Sequence, residues 1–172
     1  MKTYHTTSSE ETKQIGEEFA AALFAGKPSA RESTIGATVV VLSGELGAGK
    51  TTFVQGFFRG AGIKKRALSP TFVLVRHYKA PPRKRFVNIF HIDAYRLKNT
   101  EQLGPIGFDK MLVDKKNLLL IEWGEQIKSA LPKTAQWLRL RHGEKENERT
   151  VTIKELLKKP NRQSRRRAQH KK

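Results

Sequence analysis

The apolar positions along the chain change period several times, and each change marks an element. Ile15, Phe19, Ala22 and Leu23 recur at helical spacing. They follow Ser8-Ser9-Glu10-Glu11, where Ser8 stands as N-cap and Glu11 completes a capping box. This predicts an amphipathic helix packed on a sheet and ending near Gly26-Lys27-Pro28. Residues 29–37 are small and polar and read as a loop. Thr38-Val39-Val40-Val41-Leu42 is a β-branched strand, and Thr52 to Phe58 returns to helical spacing until Gly60-Ala61-Gly62. Pro70 bars Ser69 from a helical start. The apolar runs after it, Phe72–Tyr78 and Phe86–Ile92, predict a β-hairpin over residues 72–92 around the basic turn Pro81–Arg85.

A helical or irregular stretch carries Leu103, Ile106, Phe108, Met111 and Leu112. Leu118-Leu119-Leu120-Ile121 is apolar throughout, as in a strand buried on both faces. After it a short helix runs to Leu131-Pro132. Trp137–His142 and Arg149–Ile153 alternate apolar with polar, an antiparallel pair across a turn at His142–Asn147. Strands alternating with helices predict an α/β fold in three layers, with a mostly parallel central sheet and an antiparallel portion. One domain over residues 1–157 accounts for the pattern, leaving 158–172 as a basic, disordered tail.

Charge changes the picture more than composition does. The formal net charge is +18, from 34 Lys and Arg against 16 Asp and Glu. Residues 154–172 hold nine basic residues and one acid, so the tail carries +8 and the other 153 residues +10. Such a balance fits contact with nucleic-acid phosphates as well as plain solvated charge. There is no cysteine, which excludes disulfides, thiol nucleophiles and sulfur-based zinc sites. No apolar run approaches the roughly 20 residues of a membrane helix, and the first residues lack the apolar segment of a signal peptide. A soluble cytoplasmic protein without a membrane partner is the expectation.

The strongest chemical signal is Gly44-Glu45-Leu46-Gly47-Ala48-Gly49-Lys50-Thr51, a full match to G-x-x-x-x-G-K-[ST] between a predicted strand and a predicted helix. At ordinary residue frequencies about 0.01 accidental matches are expected in a chain of this length. Glycines let the backbone bend and turn its N–H groups onto phosphate oxygens, and the new helix adds its positive end. Lys50 adds a full charge for the β- and γ-phosphates, and the Thr51 hydroxyl suits magnesium.

A triphosphate site also needs carboxylates, which parallel sheets place at the C-terminal ends of strands. Asp93 and Glu122 both close apolar strands, the second like a Walker B strand ending in Glu. Thr71 is a candidate switch threonine that reaches magnesium or the γ-phosphate. Taken alone, Trp123 reads as core or as a base-stacking residue. His91 reads as an interior strand histidine, and Tyr95 and Arg96 as surface residues.

Together, Gly-Glu-Leu-Gly-Ala-Gly-Lys-Thr-Thr-Phe (44–53), Ser-Pro-Thr-Phe (69–72), His-Ile-Asp-Ala-Tyr-Arg-Leu (91–97) and Ile-Glu-Trp-Gly-Glu (121–125) resemble the TsaE family, also called YjeE, over residues 8–155. These are bacterial ATPases required for the threonylcarbamoyl modification of adenosine 37 in tRNA. The resemblance implies a P-loop fold, ATP and Mg2+ as cofactors, and the TsaD and TsaB proteins as partners. TsaD carries out the transfer to tRNA, and TsaE, weakly active alone, hydrolyses ATP to reset the complex between turnovers.

It further implies that Glu45, Leu46, Gly47, Ala48, Gly49, Lys50, Thr51 and Thr52 hold the nucleotide, with Trp123 beside it. Thr51 and Glu122 hold magnesium, and Thr71 is switch-like. Asp93, with Lys50, serves the attack by water. The high positive charge and the tail depart from the family pattern, and the tail is expected to strengthen contact with tRNA or an acidic partner.

Three other readings compete. A small-molecule kinase needs an acceptor pocket and an arginine-bearing lid, for which Arg96 and Arg83–Arg85 are the only material. A GTPase needs an Asn/Thr-Lys-x-Asp stretch, which is lacking. A non-catalytic RNA-binding module would not keep Lys50, Thr51, Asp93 and Glu122 together.

Overall fold

The computed structural model describes residues 1–26, 36–64, 74–82 and 85–153. The Ser69-Pro70-Thr71-Phe72 stretch and the basic tail lie outside the described residues, so Thr71 receives no structural account. Among the described residues seven strands form one sheet: β1 (Lys2–Thr6), β2 (Thr38–Ser43), β3 (Val75–Lys79), β4 (Asn88–Asp93), β5 (Asn117–Glu122), β6 (Gln136–His142) and β7 (Arg149–Ile153). Their order is β1-β7-β6-β2-β5-β4-β3. The central four, β6, β2, β5 and β4, run parallel, while β3, β7 and β1 pair antiparallel outside them. The sheet is thus parallel in its middle with antiparallel edges, in agreement with the sequence pattern.

The alternation along the central strands explains the layering. Val40 and Leu42 of β2, with Leu118 and Leu120 of β5, face helices α1 (Ser9–Ala25) and α2 (Lys50–Ala61). Val39, Val41, Leu119 and Ile121 face the other way, toward α3 (Phe108–Val113) and the 3₁₀ helices Thr100–Leu103 and Gly124–Ala130. All six residues of β5 are buried, as a central parallel strand covered on both faces requires. The short helix predicted after Glu122 is this second 3₁₀ helix.

Two local differences from the sequence reading have simple causes. Strand β1 was not foreseen, because Lys2–Thr6 carries little apolar signal. Its register with β7, from Lys2↔Ile153 to Thr6↔Arg149, comes from backbone pairing to the far end of the chain. At α1, Ser8 caps as expected by accepting from the Glu11 N–H at 3.2 Å. The Glu11 carboxylate, however, takes the Thr7 N–H at 2.7 Å and not that of Ser8, closing the cap one residue earlier.

Helices α1 and α2 touch backbone to backbone because glycines line their contact. A Cβ on Gly56 would lie 1.9 Å from the Lys13 carbonyl oxygen, and one on Gly16 2.3 Å from that of Phe53. Around this seam Phe53 and Phe57 close on Phe19, with ring centroids 5.7 and 6.2 Å apart. Outside it Arg59 pairs with Glu10 and Glu17. Alanine is the better helix former by about 1 kcal/mol, yet Gly56→Ala should destabilise the fold. Forcing the helices apart costs about 1–3 kcal/mol. A lower midpoint in chemical denaturation checks this, and a raised midpoint would show that α1 and α2 are not held at this distance.

Candidate active site

The loop between β2 and α2 takes its shape from positions where a side chain has no room or the backbone turns left-handed. Gly44, at φ +143°, would place a Cβ 2.2 Å from the Leu140 carbonyl oxygen. Gly49, at φ +94°, is the N-cap of α2 and makes no side-chain cap. The helix therefore starts with its first N–H groups and positive dipole end directed out of the loop.

Lys50, the first residue of α2, is only 5% exposed. Its ammonium donates to the carbonyls of Gly44 at 2.7 Å and Glu45 at 2.8 Å and stands 3.6 Å from the centroid of the Trp123 ring. Burial pushes the Lys50 ammonium below the ordinary lysine value of 10.5, and the carboxylates of Glu122, Glu125 and Asp93 pull it part of the way back.

The carboxylates arrive by register. Asp93 of β4 and Glu122 of β5 are Cα partners in adjacent parallel strands, so both stand at the C-terminal edge of the sheet beside the loop. Glu122 is 2% exposed and doubly bonded. Its Oε2 accepts from the Thr51 hydroxyl at 2.9 Å, and its Oε1 accepts from Nε2 of His91 at 2.8 Å. His91 is fully buried, with its ring edge-on to Phe58 and, among the described residues, no partner for Nδ1. A proton on Nδ1 would have no acceptor, so the Nε2–H tautomer fits the site. Asp93 accepts the Tyr95 N–H at 3.0 Å.

Trp123 leaves β5 at φ +59°, a conformation uncommon for a bulky residue. Its N–H is fixed on the Leu42 carbonyl at 3.0 Å, and its ring lies 4.8 Å from that of Tyr95.

These groups surround a cavity of about 260 Å³ lined by Leu46, Gly47, Gly49, Lys50, Thr51, Thr52, Asp93, Tyr95, Glu122 and Trp123. The sequence candidates within the described residues thus converge, except that within the loop Glu45 is exposed and Ala48 is buried, and neither lines the cavity. Sequence reasoning placed His91 correctly in the interior but not in contact with Glu122. That contact follows from the sheet, which sets His91 opposite Leu120, two residues before Glu122. It took Tyr95 for a surface residue; Tyr95 is half exposed and also lines the cavity.

Among the described residues no three His, Cys, Asp or Glu side chains converge as a metal cage. A hydroxyl and a carboxylate 2.9 Å apart at the foot of a phosphate loop are a donor set that suits magnesium. That ion keeps waters and substrate phosphates as its other ligands. No helix among the described residues is long and apolar enough to cross a membrane.

Known proteins resemble this chain in sequence and in fold. Residues 6–151 match the family model described as threonylcarbamoyl adenosine biosynthesis protein TsaE. The tRNA threonylcarbamoyladenosine biosynthesis protein TsaE of Rickettsia typhi is 40% identical over 129 residues, 74% of this chain and 78% of that protein. Its counterpart in Bacillus subtilis is 35% identical over 150 residues, covering 87% and 84%. The crystal structure of Bacillus subtilis YdiB superposes with a TM-score of 0.65 at 27% identity, over 88% of this chain and 83% of that one. With matches this long to sequence and structure alike, the chain belongs to the TsaE family of tRNA threonylcarbamoyladenosine biosynthesis.

Proposed function

We propose that this protein binds ATP with Mg2+ and hydrolyses it as a component of the machinery that makes N6-threonylcarbamoyladenosine at position 37 of tRNA. It acts with the TsaD and TsaB proteins, and hydrolysis resets their complex between turnovers. The basic tail adds a direct contact to tRNA. The observation that carries the reading is the meeting of Lys50, Thr51, Asp93 and Glu122 around one cavity at the N-terminus of α2.

In this reading the N–H groups of the loop and of the first turn of α2 hold the phosphates. Lys50 exchanges the carbonyls of Gly44 and Glu45 for the β- and γ-phosphates. Thr51 and Glu122 hold magnesium, which neutralises charge on the phosphates when bound, and His91 keeps Glu122 aimed at Thr51. Asp93 orients the attacking water and takes its proton. The water oxygen bonds to the γ-phosphorus, the bond to the β–γ bridging oxygen breaks, and ADP and phosphate leave. The Trp123 ring covers Lys50 and screens it from solvent.

ATP hydrolysis by the purified protein with magnesium, alone and with the TsaB–TsaD pair, tests the reading. Strong stimulation by the pair, falling by about 100-fold in Glu122→Ala, is the expected result. Turnover that requires a small hydroxyl or amine acceptor and ignores the pair would make the protein a kinase. For Asp93→Ala, hydrolysis should drop by about 100-fold, as removal of a general base does, while ADP affinity changes little. Full partner-stimulated turnover in this variant would remove Asp93 from the reaction.

Burial lowers the Lys50 value in the free protein and phosphates favour its charged form, so binding at a pH near or above that lowered value takes up a proton. Affinity for ADP should therefore be constant below the lowered value and weaken as the pH rises through it. Calorimetry in two alkaline buffers of different ionisation enthalpy would detect the proton, and a pH-independent affinity up to 10.5 would contradict the assignment.

A further inference from the structure

The phosphate loop is gripped from outside by the β6–β7 hairpin. His142 ends β6, Arg149 begins β7, and the two are cross-strand partners. His142 Nε2 donates to the Leu46 carbonyl at 2.9 Å, and Arg149 Nε donates to the Gly47 carbonyl at 3.1 Å. Nη1 of Arg149 also donates to the carbonyls of Glu146 at 2.5 Å and Glu148 at 2.7 Å, which fixes the guanidinium on the hairpin turn. A Cβ on Gly47 would lie 3.3 Å from His142 Cε1, and one on Gly49 3.8 Å from Arg149 Cγ.

These bonds aim the opposite side of each peptide. In a trans peptide the C=O and N–H point in opposite directions, and the described chain contains no cis bond. Drawing the Leu46 carbonyl toward His142 turns the Gly47 N–H away from the hairpin, and Gly47 lines the cavity. Holding the Gly47 carbonyl on Arg149 turns the Ala48 N–H inward, where it meets the Glu45 carbonyl at 3.2 Å and closes the turn. One tether turns the Gly47 N–H away from the hairpin and the other braces the turn that carries it.

We propose that His142 and Arg149 are positioning residues for the nucleotide phosphates, holding the donors of the loop in their binding arrangement before the ligand arrives. The inference rests on the nucleotide-binding reading above. Glu45, Leu46 and Gly47 are solvent-exposed. Without the tethers the loop would have to be ordered at the moment of binding, which costs affinity.

The test is calorimetric titration of the full chain with ADP and magnesium, beside thermal unfolding without ligand. His142→Ala and Arg149→Ala should each weaken ADP binding by about three- to tenfold, the worth of one hydrogen bond. The unfolding midpoint of His142→Ala should stay at the wild-type value. His142→Gln, whose amide N–H can reach the Leu46 carbonyl, should restore affinity.

Unchanged ADP affinity in His142→Ala, beside a wild type that binds, overturns the proposal. So does weakened binding seen only in Arg149→Ala together with a lowered midpoint, since the hairpin would then be structural alone. A wild type that binds no ADP overturns the nucleotide reading and the tether with it.

Discussion

A buried ammonium dictates the arrangement of this site. Lys50 cannot leave water uncompensated, because desolvating an unpaired charge costs several kcal/mol. Each of its neighbours answers that requirement. Two carbonyls of the loop accept hydrogen bonds from it, an indole face covers it, and the carboxylates at the ends of β4 and β5 supply the opposing charge. Those positions hold only if β4, β5 and β2 stay parallel and in register, and if α2 begins where β2 ends. Fold and site are therefore one constraint met twice. The core fixes the strand ends, and the charge at those ends is tolerable only in the geometry the core supplies.

The legible part of the chain was the part governed by local rules. The glycine spacing from Gly44 to Gly49, the β-branched run before it and the stripe from Ile15 to Leu23 each report their own conformation. The structure follows them to within a few residues. Asp93 and Glu122 were legible because an apolar run that stops at an acid marks a strand end. What was illegible depends on pairs distant in the chain. Strand β1 exists because β7 offers it an edge. His91 meets Glu122 because two parallel strands set them diagonally. His142 and Arg149 reach the loop across roughly a hundred residues. No pattern within Lys2–Thr6 or around His142 records those neighbours.

The glycines at the α1–α2 seam lie between these cases. Gly56 and Gly60 are plain in the sequence, and in a helix they read as weakness. The structure gives them a use as the absence of atoms where the Lys13 and Glu17 backbones pass. The gain is an α2 pressed tightly onto α1, so the helix whose first turn faces the cavity has a rigid support. Propensity alone misjudges such positions, because the compensating contact belongs to another element.

The pairing of β1 with β7 also bears on how the chain is made. Thr3 stands opposite Thr152, 149 residues further on, so β1 must wait for β7 to be synthesised before it has a partner. The same late hairpin carries the side chains that clasp the phosphate loop. A nascent chain can bring β2, α2, β4 and β5 together well before this, with the loop still unclasped. Completion of this sheet edge and clasping of the loop between β2 and α2 thus coincide in one closing event, which couples the maturation of the site to the emergence of β7.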